Sequence, residues 1–137
     1  MNKYDSLTKN FKFYEVWSGD RKLGKNSIEP PEEYREYLFA CVEQLQNVRD
    51  LIEKKFGEHK IIITSAYRTP EWNRTCGGVS TSLHLRGLAI DSRAVGIHLF
   101  LYYSYLLKYT KFNQYGYYRW KNFVHSGLMN NFTIFKY

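Results

Sequence analysis

Nine apolar residues, Tyr34, Tyr37, Leu38, Cys41, Val42, Leu45, Val48, Ile52 and Phe56, recur at steps of three and four. Only a helix gathers such a set onto one face, so the spacing predicts a long helix from Pro31 onward whose stripe the rest of the chain must cover. Its ends are written locally. Pro30-Pro31 presets φ at a position whose N–H would go unpaired, and Glu32-Glu33 complements the positive end of the helix dipole. Gly57 supplies the stop.

Beyond Gly57 the chain reads as sheet with one more helix. Lys60 to Thr64, with three consecutive isoleucines, predicts a short buried strand, and Leu88-Ala89-Ile90 predicts a weaker one. A loop rich in Gly, Ser, Thr and Pro separates them. Ala94 to Tyr109 is apolar almost all round and predicts a helix packed on a sheet. Tyr115–Tyr118, Asn122–His125 and Phe132–Phe135, set apart by polar turns, predict antiparallel strands. Residues 1–30 read as extended chain that wraps the core. Their breakers are Ser18-Gly19-Asp20 and Leu23-Gly24-Lys25-Asn26, and their anchors Phe11, Phe13, Tyr14, Val16 and Trp17. The fold class is therefore α+β: a central antiparallel sheet, a long N-terminal helix and a second helix.

At 137 residues the chain is one domain, 1–137, and a two-domain reading is excluded. A 44% hydrophobic and 18% aromatic content excludes a disordered chain. The longest apolar stretch, Ile97–Leu107, falls short of the roughly 18–20 residues of a membrane span. Residues 1–7 lack the apolar core of a secretory signal, so synthesis in the cytoplasm is expected. Cys41 and Cys76 are too few and too far apart for a CxxC metal site and read as free thiols. The glycosylation sequons at Asn73 and Asn131 read as chance matches. Of the net charge of +7, residues 92–137 contribute +6, with six basic residues and no acid. Such a region attracts nucleic acid, anionic lipid or anionic wall polymer alike.

The chemistry-bearing residues lie in Ser65-Ala66-Tyr67-Arg68-Thr69-Pro70-Glu71-Trp72-Asn73, Gly77-Gly78, Ser82 to Asp91, and Phe123-Val124-His125. His84, Asp91 and His125 form a candidate zinc set, since three protein ligands leave the fourth tetrahedral position for a reactive water. Seven residues on an ideal strand would send His84 and Asp91 to opposite faces. Gly87 offers the remedy, because positive φ there can turn the chain between a loop-borne His84 and a strand-borne Asp91. On spacing alone, either histidine reads equally as a hydrogen-bonded core residue and Asp91 as a turn residue.

The S-x-H-x-x-G-x-A-x-D string from Ser82 to Asp91, with the Ser65–Asn73 segment and Gly77-Gly78 before it and Phe123-Val124-His125 after it, resembles the zinc D-Ala-D-Ala carboxypeptidase family. That family also holds L-alanyl-D-glutamate endopeptidases, including many phage endolysins. The resemblance covers roughly residues 60–127 and implies the hedgehog-like fold of these carboxypeptidases. It implies Zn2+ held by His84, Asp91 and His125, Arg68 as the catalytic residue that binds substrate or polarises its scissile carbonyl, and Ser82 as a substrate contact. It also implies an enzyme that cleaves peptidoglycan peptide and acts on the cell wall after release from the host cytoplasm; a monomer is expected, and wall peptide rather than nucleic acid is the expected partner.

The surroundings of the last histidine depart from the family pattern. Active relatives place an acid three residues before or two after it, where this chain has Asn122 and Gly127. Asp91 is the last acid in the chain, so a carboxylate base must come from upstream, and Glu71 is the nearest. His98 and Tyr67, Tyr115, Tyr117 and Tyr118 are the other proton carriers in reach of the motif's sequence. The missing acid leaves open a relative that grips wall peptide without cutting it, and the cationic C-terminal third with its tyrosines leaves open a basic nucleic-acid-binding protein.

Overall fold

The structure, a computed structural model, describes residues 1–19 and 27–129. Helix α1 (Glu32–Phe56) starts directly after Pro31 and stops at Gly57, whose φ of +87° a residue with a side chain rarely adopts. Leu38, Cys41, Val42, Leu45, Val48 and Ile52 bury the expected stripe, while Phe56, on the last turn, is 41% exposed. Burying each aliphatic side chain contributes roughly 1.5–3 kcal/mol. A surface ion pair such as Arg35–Glu29, at 3.2 Å, contributes under about 1 kcal/mol, so burial decides how α1 sits.

The stripe also carries polar Gln46, which holds the N-terminal segment. Its Oε1 accepts from Thr8 Oγ1 (2.7 Å) and from the Asn10 amide (2.9 Å), and its Nε2 donates to Asn10 Oδ1 (2.8 Å). That segment is a hairpin of β1 (Ser6–Thr8) and β2 (Phe11–Lys12) followed by a 3-10 turn, Phe13–Val16. Phe11, Phe13 and Val16 are buried in the main core, so it wraps the core as the sequence predicts. The amides of Tyr67 and Thr69 donate to Val16 O (3.2 Å) and Ser18 Oγ (3.0 Å), tying the segment to the site region.

Strands β3 (Ile61–Ser65), β4 (Ala89–Ala94), β5 (Gln114–Tyr118) and β6 (Phe123–Gly127) form one antiparallel sheet in the order β3-β4-β6-β5. Period-two alternation divides its residues between two faces. Ile61, Ile63, Ile90, Ala94 and Val124 point into the core shared with α1 and with α3 (Leu99–Tyr109). Ser92 shares that face and meets the buried hydroxyl of Tyr102 from α3 at 2.7 Å. Asp91, Gln114, Gly116, His125 and Gly127 therefore fall on the opposite face.

Three expectations are corrected. The second helix begins at Leu99 rather than Ala94, because Ala94 ends β4, Gly96 takes a φ of +80° and the His98 side chain caps the helix by accepting from the Phe100 amide. The strand after Gly87 runs on through Ala94, so Asp91 lies inside it. The Gly- and Ser-rich loop holds a short helix, α2 (Pro70–Thr75), and a 3-10 turn, Leu83–Arg86. Thr69 caps α2 by accepting from the Trp72 amide, and Pro70 opens it. The breaker Leu23–Asn26, Asp20, the expected strand Phe132–Phe135 and the Asn131 sequon lie outside the described residues. Asn73 is buried and hydrogen-bonded, which leaves no room for a glycan on its side chain. Both cysteines are free thiols, Cys41 buried and Cys76 exposed. Among the described residues no helix is long and apolar enough to cross a membrane.

Candidate metal centre

Three separate elements deliver the site to the sheet face opposite α1 and α3. His84 rides on the 3-10 turn Leu83–Arg86, which Ser82 caps by accepting from the His84 amide (3.2 Å). Gly87 ends that turn at φ +70°, the left-handed conformation expected of it. There is a second reason for glycine: a Cβ at this position would lie 3.0 Å from Leu38 Cγ and 3.1 Å from Tyr34 O, so the turn rests directly on α1. The chain then enters β4, where Asp91 pairs across the sheet with His125 of β6. On the other side of β4 a bulge between Ile63 and Ser65 sets Ser65 opposite Asp91.

His84, Asp91 and His125 present ligand atoms that all lie within 4.8 Å of one another. His84 Nδ1–H donates to Ala66 O at 2.6 Å, which leaves Nε2 facing Asp91 Oδ2 at 3.2 Å. That Nε2 is buried and has no hydrogen-bond partner among the described residues, so it is an orphaned polar atom. His125 turns its other nitrogen inward: Nδ1 lies 2.8 Å from Asp91 Oδ1, and Nε2–H donates to Gln114 Oε1 at 2.6 Å. The Asp91 carboxyl is 4% exposed. Burial alone would raise its pKa, but the hydrogen bond with His125 and the adjacent His84 outweigh that and hold it at about 2. Two imidazoles and a dependable carboxylate are a donor set that zinc accepts, and the orphaned Nε2 is an atom that a metal would satisfy. The residues fit the ion.

Arg68 closes the set. Its backbone amide donates to His84 O (3.0 Å), and its guanidinium donates to Ser65 Oγ (2.9 Å), Asn73 Oδ1 (3.2 Å) and Asp91 Oδ2 (3.3 Å). Of five guanidinium N–H groups, two have no acceptor among the described residues. Asn73 also donates to Val79 O (2.9 Å), and Gly78 passes so close that a Cβ there would collide with the Asn73 carboxamide. One buried asparagine thus fixes both the arginine and the glycine loop.

Beside the cluster opens a cavity of about 660 Å3, lined by Arg68, Ser82, His84, Arg86, Gln114 and His125 among others. Its charged walls are cationic; none of the described lining residues is a carboxylate. Ser82 lines it; its Oγ accepts from the His84 amide, and among the described residues its O–H has no acceptor.

The candidate proton carriers divide. Glu71 is 76% exposed and paired with Arg74 at 4.0 Å, a solvated acid away from the lining. His98 is spent as a helix cap, and Tyr67 packs in the core against Tyr34. Tyr117 packs on Tyr103, and Tyr115 and Tyr118 line the cavity, the Tyr115 hydroxyl sharing a hydrogen bond with Thr110 at 2.6 Å and Tyr118 stacked on Phe123. Asn122 takes a φ of +56° and closes the turn between β5 and β6. Sequence reasoning missed Gln114 and the structural weight of Asn73. No local motif marks Gln114; it matters because β5 lies beside β6, which only the sheet order reveals.

The model of the peptidase M15 family matches residues 10–127. The chain belongs to that family. No curated protein matches the chain.

Proposed function

We propose that this chain is a zinc-dependent peptidase that cleaves peptidoglycan stem peptides, in the hedgehog-like fold of the D-Ala-D-Ala carboxypeptidases and as a phage cell-wall-degrading or lysis enzyme. The observation that carries the reading is the convergence of His84, Asp91 and His125 from a turn and two strands, each histidine held with one nitrogen toward Asp91. Zinc bound there would lower the pKa of water and polarise a carbonyl. Asp91 stays ionised, offers one oxygen to each histidine and counters the positive charge of Arg68. Arg68, oriented by Ser65 and Asn73, turns its two remaining N–H groups to a substrate carboxylate or to the oxyanion that develops on the scissile carbonyl. Ser82 donates to the peptide backbone. Arg68 and Arg86 make the cavity receptive to a peptide bearing free carboxylates, as wall stem peptides do.

The test is release of fragments from purified peptidoglycan, followed by mass spectrometry. Wild-type protein should release peptides, and His84→Ala should release none; equal release by both would refute the assignment. A second reading, a module that grips wall peptide without cutting it, is favoured by the acid-free cavity lining. A positioned base typically adds about 10²- to 10⁴-fold, so its loss slows a zinc peptidase without stopping it. Zinc binding and wall binding with no fragments would select that second reading.

A further inference from the structure

We propose that Gln114 is the positioning residue for His125 and fills, from the neighbouring strand, the space left by the missing side chain at Gly127. The inference deepens the zinc reading and rests on it. Gln114 and Gly127 are direct partners in the β5–β6 register. A Cβ on Gly127 would lie 2.9 Å from Gln114 Oε1 and 3.3 Å from His125 Nε2, so the carboxamide occupies the place that a side chain at 127 would take. The strand pair holds a glycine on β6 and an amide on β5.

The amide is oriented. Its Nε2 donates toward Met129 Sδ at 3.9 Å, which leaves Oε1 to accept from His125 Nε2–H at 2.6 Å. With its Nε2–H held by Gln114, the imidazole can bind a metal only through Nδ1, which on binding gives up the proton it shares with Asp91. His84 is held by the mirror arrangement, with the Ala66 carbonyl taking Nδ1–H. The Ala66 carbonyl belongs to the backbone and cannot be lost by mutation, whereas Gln114 can. A carboxamide accepts a hydrogen bond but takes up no proton, so Gln114 supplies orientation without supplying a base.

The experiment compares Gln114→Leu, which removes the acceptor, with Gln114→Glu, which keeps one. Zinc affinity is read by competition with a chromophoric chelator, the cobalt(II)-substituted proteins by their visible spectra, and the metal-free proteins by thermal melting. Gln114→Leu should bind zinc 10- to 100-fold more weakly and shift the cobalt spectrum, with a metal-free melting temperature close to wild type. Gln114→Glu should stay within about threefold of wild type in affinity. Should the leucine variant melt early, Gln114→Met carries the same comparison. Wild-type affinity and spectrum in Gln114→Leu or Gln114→Met would overturn the proposal alone. A wild-type protein that takes up no zinc would overturn the metal centre as well, so the two failures are distinguishable.

Discussion

Replacing Gly87 with alanine probes the step on which the site depends, the turn that brings His84 and Asp91 together. Two costs add. Alanine in the left-handed conformation at φ +70° costs about 1–2 kcal/mol. The new Cβ would also press on Leu38 Cγ at 3.0 Å, Tyr34 Cβ at 3.1 Å and Tyr34 O at 3.1 Å, and overpacking against such neighbours costs about 1–3 kcal/mol. The sum is about 2–5 kcal/mol, a drop of about 7–17 °C in melting temperature for a chain of this size. Gly77→Ala is the control, since Gly77 has a φ of +76° with nothing within 4 Å of the added atom and so incurs only the first cost. Melting both variants without metal should show Gly87→Ala worse than Gly77→Ala by about 1–3 kcal/mol. Relief of the clash must lift the turn from α1, so zinc affinity should fall at least tenfold. Equal losses in the two variants would refute the packing argument, and unchanged zinc affinity would refute the claim that this turn sets the ligand spacing.

Other contacts give further expected outcomes. Gly78→Ala should push the Asn73 carboxamide off Arg68, and hydrolysis of a soluble stem peptide should fall by about tenfold or more while zinc content stays at wild-type level. Loss of zinc instead would contradict the assignment of Asn73 to Arg68. The Asp91 carboxyl has a pKa of about 2 in the fold against a usual 3.8, so it stabilises the fold above pH 4 and that contribution is lost as pH falls from 4 through 2. In urea unfolding of metal-free protein the difference between wild type and Asp91→Asn should shrink by about 2 kcal/mol from pH 6 to pH 2, and a constant difference would contradict it. Burial pushes the Cys41 thiol up to about 12, whereas Cys76 is exposed. A thiol reagent at pH 8 should therefore label one cysteine, Cys76, in native protein; labelling of both would show that the α1 stripe opens.

The helix stripe, the start at Pro31, the stop at Gly57 and the need for a bend at Gly87 were legible because each is a local rule: a period, a fixed φ, a missing Cβ. The three side chains of the candidate metal centre were legible through their motif, and their convergence became visible only with the register that sets Asp91 opposite His125. The features that escaped were non-local or short. The six-residue helix α2 is too brief for a periodic signal, and its cap Thr69 sits in a stretch that reads as loop. The true start of α3 is set by Gly96 and His98, which composition alone does not outweigh against the apolar run after them. Gln114 carries no signal in its own segment, because its role comes from lying across the sheet from Gly127 and beside His125.

The central claim is that His84, Asp91 and His125 hold one zinc ion, and elemental analysis of purified protein dialysed against zinc tests it most directly. The account predicts one zinc per chain in wild type and none in His84→Ala, with the zinc removed by a chelator and restored on re-addition. Wild-type protein that takes up no zinc under those conditions, or a His84→Ala protein that keeps a full equivalent, would contradict it.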